Sequence, residues 1–239
     1  MKSTATVTRC VDTDLVTTDV LERTTCSPST VTQAYCFVID PTPEQANALR
    51  SHVGGSRFAY NALLGLVAAN WEENRDKKAA GLEVTRDDYL STSHFALLYL
   101  WADQRDQLAP WWGENGSSTY NDAAQRLAKA FTNFHRGRSK FPTFKRRGHG
   151  GSVRFTNTAV RLSDAHHVRI SRIGDVKTYE STRKLFRHLE RGTGRIMAAT
   201  VSERGGAWTV AFTVEVQRRV CATRAPERVI GVDVGLCTL

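Results

Sequence analysis

One carboxylate in this chain stands where an acid is unusual. Asp233 lies in the apolar run "RVIGVDVGLCTL", residues 228–239, with Gly231 and Gly235 two positions to either side. Asp is disfavoured inside β-strands, and carboxylate oxygens are ligands that Mg²⁺ prefers. The spacing alone leaves two interpretations open: a metal ligand, or a strand-end carboxylate that is hydrogen-bonded to nearby backbone.

A run of cations forms the second candidate site. The stretch "HRGRSKFPTFKRR", residues 135–147, holds six Lys and Arg residues, two phenylalanines and no acid. Lys and Arg neutralise phosphates and an aromatic ring can stack on a base, so the pattern is typical of a nucleic-acid contact. A solvated basic loop is the alternative, and Phe144 is expected to pack inside. The candidate side chains are Arg136, Arg138, Lys140, Lys145, Arg146 and Arg147.

The net charge of +9 is unevenly distributed along the 239 residues. Residues 136–219 carry 19 Lys and Arg against 6 Asp and Glu, whereas residues 1–135 carry 12 against 16. Such a basic block attracts a polyanion by counterion release. A membrane surface is the competing partner, but these cations sit among short strands rather than on one amphipathic helix. Nucleic acid is therefore the predicted partner, and no membrane is expected.

The expected cellular compartment follows from three kinds of feature that the sequence does not contain. No apolar run is long enough to span a bilayer, and the N-terminus has no signal-peptide pattern. The five cysteines are scattered and include no CxxC pair, which argues against a disulfide framework or a zinc ribbon. These features predict a reducing cytoplasm.

The elements that would position these residues begin with a short strand at residues 35–39. Thr42, Pro43 and Gln45 then have the types and spacing of a capping box that opens a helix. Gly54 and Gly55 are predicted to end that helix, so that a second follows in a loosely helix-turn-helix-like arrangement. The second helix has an apolar stripe at helical spacing, made of Tyr60, Leu63, Leu64, Val67 and Trp71.

Two more helices and a series of strands follow. One apolar stripe runs from Leu90 to Trp101 and another from Ala123 to Phe134. Beyond residue 151, short alternating runs predict strands. The last and longest of them form a hairpin over residues 195–216, with its turn at Gly205-Gly206.

Five motifs occur in the order seen in a known family. They are "YCFVIDPTPEQ", "GGSRFAYNALL", "AAQRLAKAFTNFHRGRSKFPTFKRRG", "VRISRIGDVK" and "RVIGVDVGL". From about Tyr35 to its last residue the chain resembles the TnpB/OrfB proteins of bacterial insertion sequences, relatives of type V CRISPR effectors. The resemblance implies an α+β fold: an oligonucleotide-binding-type β-barrel, interrupted by a helical recognition lobe and followed by the first strand of an RNase H-like (RuvC) domain.

The implied domains have these boundaries: a disordered extension over 1–33, the first barrel strand over 34–41, the helical recognition lobe over 42–135, the basic remainder of the barrel over 136–219, and the start of the nuclease domain over 220–239.

The implied activity is RNA-guided DNA cleavage, with a guide RNA and a double-stranded target DNA as partners. Asp233 would be a catalytic carboxylate and a ligand of Mg²⁺. Arg57 and Asn61, one helical turn apart in "RFAYN", could both face DNA near the target-adjacent motif, although a plain helix-surface pair is the alternative.

Two-metal cleavage needs several carboxylates, and the family's later glutamate and aspartate segments are not in this sequence. The chain is therefore expected to bind nucleic acid without cutting it. A nuclease-dead, DNA-binding regulator of the same family is the alternative function.

Overall fold

The computed structural model describes residues 26–148 and 151–221. Residues 32–216 form one compact unit. This unit is an α+β structure, which confirms that part of the predicted fold class. The predicted metal ligand Asp233 and most of the predicted nuclease start lie outside the described residues.

Seven strands form one sheet, in the order β2-β6-β7-β1-β5-β4-β3. The pairs β2–β6, β6–β7, β1–β5, β4–β5 and β3–β4 are antiparallel. Strands β2 and β3 are the two edges, so the sheet is not closed, and the predicted oligonucleotide-binding barrel is not confirmed. The strands are β1 Cys26–Asp40, β2 Gly151–Thr156, β3 Val160–Leu162, β4 His167–Ile170, β5 Gly174–Thr178, β6 Gly194–Arg204 and β7 Ala207–Cys221.

The sheet packs around an apolar cluster to which all seven strands contribute. Side chains that alternate along each strand decide which residues join this cluster. In β2, Val153 and Phe155 are fully buried while Arg154 between them is exposed. Successive strand side chains point to opposite faces, so the cations of the basic block can occupy the other face. Leu49 and Leu185, from two helices, also join the cluster.

The long hairpin is confirmed. Strands β6 and β7 pair from Arg204 and Ala207 at the turn. Gly205 and Gly206 have φ of 57° and 81°, the left-handed region that tight two-residue hairpin turns require and that glycine adopts without strain.

Four α-helices complete the described structure: α1 Pro43–Ala79, α2 His94–Leu108, α3 Ser117–His135 and α4 Arg183–Glu190. Helices α1, α2 and α3 enclose a second apolar cluster, which includes Leu63, Leu97 and Leu127. The fourth helix was not predicted, since its eight residues are too few for a visible helical period. No described helix is long and apolar enough to cross a membrane.

The predicted capping box at the start of α1 is present. The Thr42 hydroxyl accepts a hydrogen bond from the Gln45 backbone N–H at 3.3 Å, and the Gln45 side chain accepts one from the Thr42 N–H at 3.1 Å. These bonds satisfy backbone donors that a helix start otherwise leaves unpaired.

The predicted helix end at Gly54-Gly55 is wrong, because α1 continues through both glycines. An interior glycine costs a helix about 1 kcal/mol, but packing holds the segment straight. A Cβ on Gly55 would lie 3.0 Å from Asn115 Nδ2, so the missing side chain lets Asn115 approach α1. His52 lies nearby, and its Nε2 accepts the Gly116 N–H at 3.1 Å, which fastens α1 to the start of α3.

The first strand also differs from the prediction. Strand β1 begins at Cys26, so residues 26–33, which were assigned to a disordered extension, belong to a strand. Its Thr- and Val-rich sequence shows no sustained alternation, and pairing within the sheet decides its conformation.

Candidate nucleic-acid interface

The basic loop, residues 136–148, lies against helix α1. Asn61 Nδ2 donates a hydrogen bond to the Lys145 carbonyl oxygen at 3.0 Å, and the Lys145 N–H donates to Asn61 Oδ1 at 2.8 Å. The Lys145 ammonium lies 5.1 Å from the centre of the Tyr60 ring, a cation–π distance. Two consecutive residues of α1 therefore hold the same loop residue.

Apolar packing brings the loop to that position. Phe141 contacts three aromatic rings of the helices, with ring centres 5.5 Å from Trp71, 5.6 Å from Phe131 and 5.5 Å from Phe134. This aromatic anchor turns the chain back from the end of α3 towards α1. Tyr60 is itself buried in the helical cluster, which fixes the helix face that meets the loop.

A cavity of about 440 Å³ opens between α1, α3, the basic loop and the start of β2. Four cationic residues line it: Arg57 from α1, Arg126 from α3, and Lys145 and Arg146 from the loop. Among the described residues, no carboxylate side chain lines this cavity. The other lining residues are Val53, Ser56, Tyr60, Ala123, Phe144, Gly151 and Ser152.

Gly151 allows the sheet to approach α1 closely beside the cavity. A Cβ at this position would collide with the Val53 side chain of α1. Because glycine has none, the first residue of β2 can approach the helix directly. Both Val53 and Gly151 line the cavity.

The cations around the cavity differ in how they are neutralised. Arg126 Nη1 lies 3.4 Å from Asp122 Oδ2 and donates to the Ser152 carbonyl oxygen at 3.2 Å. Asp122 is buried, and burial raises the pKa of its carboxyl above the ordinary range, with Arg126 acting in the opposite direction. Arg126 is thus partly paired within the chain, and its side chain forms part of the cavity wall.

The predicted interface cations have no ion-pair partner in the described part of the chain. Arg57 is half-buried, and the six predicted loop cations are exposed. Within residues 26–148 and 151–221, none of these side chains forms an ion pair with a carboxylate. Their charge remains available to a phosphate. The loop cations are Arg136, Arg138, Lys140, Lys145, Arg146 and Arg147.

A second depression, of about 450 Å³, adjoins the cavity. Arg57 and Gly151 line both, and Arg50 and Arg147 extend the cationic surface. Glu203 also lines this depression and binds Arg50 Nη2 at 2.8 Å. One of the cations here is thus neutralised within the chain.

A third, more apolar groove of about 670 Å³ lies on the other side of Arg57. Phe58 and Trp111 line it, with ring centres 5.3 Å apart and edge-to-face geometry, and both rings are partly exposed. Exposed aromatic rings beside cations suit the stacking of bases.

The structure therefore groups five of the predicted residues around these three surfaces: Arg57, Asn61, Lys145, Arg146 and Arg147. Arg136, Arg138 and Lys140 lie on the exposed first half of the loop and line none of the three.

One expectation within the loop is wrong. Phe144 is 57% exposed and lines the cavity instead of packing inside, because Phe141 takes the apolar site.

Sequence reasoning also missed Arg126 and Arg50. Arg126 stands four residues after Asp122, a spacing that indicates an ordinary ion pair within a helix. Arg50 lies far along the chain from its partner Glu203, so no local pattern connects them.

The described residues contain no group of three or more His, Cys, Asp and Glu side chains that could hold a metal ion. They therefore do not fit a magnesium pair, and no cleavage step is assigned to them. The predicted role of Asp233 as a catalytic residue and Mg²⁺ ligand stays a prediction.

Comparison with known proteins identifies relatives. A family model described as a helix-turn-helix domain, HTH_OrfB_IS605, matches residues 29–76, a range that here contains most of β1 and most of the single helix α1. A Mycobacterium tuberculosis protein is 30% identical over 222 residues, 85% of this chain and 46% of its own length. InsQ of Escherichia coli is 24% identical, over 87% of this chain and 46% of its own. Both carry the description "Putative RNA-guided DNA endonuclease".

The chain belongs to the TnpB/OrfB family. A further relative with the same description, from Streptomyces pristinaespiralis, is 28% identical over 87% of this chain and 47% of its own length. The chain spans about half the length of the curated relatives it matches. The family resemblance in the sequence is thus confirmed.

Proposed function

We propose that this chain provides the nucleic-acid-binding part of a transposon-associated RNA-guided DNA endonuclease, and that it binds guide RNA and double-stranded target DNA. The observation that carries the proposal is the group of cations around the cavity, Arg57, Lys145 and Arg146, which form no ion pair with any carboxylate of the described residues. Phosphate contacts supply most of the affinity of proteins for nucleic acids. Relatives described as RNA-guided DNA endonucleases support the choice of RNA and DNA as the partners.

The exposed Phe144 ring gives the cavity a second property. A ring beside cations that neutralise phosphates can stack on a base that is not paired. We infer that the cavity contacts the backbone of a nucleic acid at a place where a base is unstacked. The expected lack of cleavage stays a prediction.

Salt-dependent binding tests the proposal. The purified chain is titrated against a fluorescently labelled RNA hairpin and a labelled DNA duplex at several salt concentrations, and the slope of log K against log salt is measured. In the variant Lys145→Ala/Arg146→Ala/Arg147→Ala, three lost phosphate contacts should flatten the RNA slope by about 2, since each contributes about 0.7. At about 0.1 M salt the affinity should then fall roughly a hundredfold.

A variant with the same loss of charge elsewhere is the control. Arg75, Lys77 and Lys78 lie at the end of α1, where Arg75 and Lys77 contact Asp76 and Glu73. Their replacement by Ala should leave the slope unchanged. Equal effects of the two triple variants would mean that only net charge matters, and an unchanged slope in the loop variant would contradict the proposal.

A further inference from the structure

Asn61 uses both ends of its side-chain amide to bind one residue of the basic loop. Its Oδ1 accepts the Lys145 N–H, and its Nδ2 donates to the Lys145 carbonyl, across 84 positions of sequence. An amide that pairs with both backbone groups of one residue acts as a clamp on that residue. The structure therefore gives Asn61 a role other than the direct contact with DNA that its position suggested.

The clamped segment has little else to order it. Residues 142–148 lie in no helix or strand. Among the described residues, their backbone makes no other hydrogen bond than the two with Asn61. Three residues of this segment nonetheless line the cavity: Phe144, Lys145 and Arg146. Within the described residues, the Asn61 amide holds the backbone of Lys145, whose ammonium also lies over the Tyr60 ring.

We propose that Asn61 is a positioning residue, which holds the basic loop in its binding conformation before the nucleic acid arrives. The proposal rests on the proposed function, because it explains the ordered conformation of the loop by the binding of nucleic acid to the same cationic surface. A loop that must be ordered during binding loses conformational entropy at that moment, and the affinity falls accordingly. Asn61 carries no charge, so its loss leaves the number of available cations unchanged.

The same helix contains a matched control. Asn70 also makes two hydrogen bonds to loop backbone, although to two different residues: its Nδ2 donates to the Asp88 carbonyl at 3.0 Å, and its Oδ1 accepts the Leu90 N–H at 2.9 Å. The segment that it holds lies before α2 and contributes nothing to the cationic surface. Asn70→Ala thus removes two bonds of the same kind without touching the basic loop.

Binding at several salt concentrations is the first measurement, with the same RNA hairpin and DNA duplex. Asn61→Ala should weaken binding of the hairpin about tenfold, with an unchanged slope of log K against log salt. Asn70→Ala should leave both quantities as in the wild type. Equal affinity of Asn61→Ala and the wild type would overturn the proposal. So would a loss confined to duplexes of one sequence, because that pattern indicates a direct base contact.

Limited trypsin digestion is the second measurement, and it requires no nucleic acid. Trypsin cuts after Lys and Arg, so Lys145 and Arg146 report on the order of the loop itself. Cleavage at these two residues should accelerate several-fold in Asn61→Ala and stay at the wild-type rate in Asn70→Ala. Asn61→Asp, which keeps an acceptor for the Lys145 N–H, should be cut at an intermediate rate.

The two measurements separate the possible failures. If the wild type binds neither probe while Asn61→Ala still exposes the loop to trypsin, the proposed function is wrong and the clamp is a structural feature only. If the wild type binds and Asn61→Ala is cut no faster than Asn70→Ala, the loop does not depend on Asn61 and the positioning role is wrong.

Discussion

Two cations of the basic loop and two cations of the sheet belong to the same basic block but differ in their partners. On the sheet, Arg169 lies 3.4 Å from Asp175, and Arg195 lies 3.6 Å from Glu215. In the loop, within the described part of the chain, Lys145 and Arg146 have no carboxylate partner. A count of charges along the sequence treats these residues alike. For these four residues, ion pairing separates the loop from the sheet, whereas the local charge does not.

The largest expected effect comes from the residue that anchors the loop. Phe141→Ala removes the ring that packs on Trp71, Phe131 and Phe134. Loss of a buried phenylalanine costs about 3–5 kcal/mol, and for this half-buried ring we expect the free energy of unfolding to fall by about 2 kcal/mol. Urea denaturation followed by circular dichroism measures the change. A fall below about 0.5 kcal/mol, which is typical of surface substitutions, would mean that the loop is held elsewhere.

Phe144→Ala tests the other phenylalanine of the loop, for comparison with Phe141→Ala. Because this ring is 57% exposed, the free energy of unfolding should stay within about 0.5 kcal/mol of the wild type. Stacking on one base is worth about 1–3 kcal/mol, so binding of a single-stranded oligonucleotide should weaken about tenfold. Fluorescence anisotropy measures this affinity. Wild-type affinity together with a clear loss of stability would place the ring inside, as the sequence predicted.

A smaller effect is expected when a paired cation is released beside the site. Glu203→Gln frees Arg50, which lines the same depression as Arg57 and Arg147. One additional phosphate contact should raise the affinity for RNA about fivefold at about 0.1 M salt and steepen the slope by about 0.7.

The matched control is Glu215→Gln, which frees Arg195 on the sheet, where Arg195 lines none of the three surfaces. Both variants gain the same charge, but only the first should bind more tightly. Equal gains in the two variants would show that RNA responds to total charge, and the contrast between loop and sheet would be lost.

The smallest effect is expected from the sheet cations themselves. Arg169→Ala/Arg195→Ala removes two residues whose charge is already offset by Asp175 and Glu215. The slope of log K against log salt should change by less than that of a single phosphate contact, and exposed ion pairs of this kind contribute at most about 1 kcal/mol to stability. A slope flattened by about 1.4, the value for two lost contacts, would place the sheet surface in the interface.

Much of the helical part could be predicted, because periodic apolar residues report burial directly. The stripe of Leu63, Leu64 and Val67 is buried as predicted, as are Ala123 and Phe131 of α3. Local chemistry also predicted the Thr42 capping box and the Gly205-Gly206 turn. In each case the sequence pattern involves residues that are a few positions apart. Interactions between such residues depend little on the rest of the fold.

The candidate site was harder to predict for the opposite reason. Asn61 and Lys145 are 84 positions apart, and no local pattern states that one pairs with the other. Phe141 and Phe144 stand in the same short stretch with the same side chain, and only the aromatic rings of α1 and α3 decide which is buried. Gly54 and Gly55 each weaken a helix, but α1 runs through both of them, and Asn115 packs closely against Gly55.

The family motifs, the basic block, the start of α1 and the alternating strands were visible in the sequence, because each depends on residue type and short spacing. Three features came only from the folded chain: which of the described cations lack an ion pair, which phenylalanine lines the cavity and what the Asn61 amide binds. The physical reason is that ion pairs, ring packing and loop clamps are made between residues far apart in the chain. Their partners are therefore chosen by how the helices and the sheet pack.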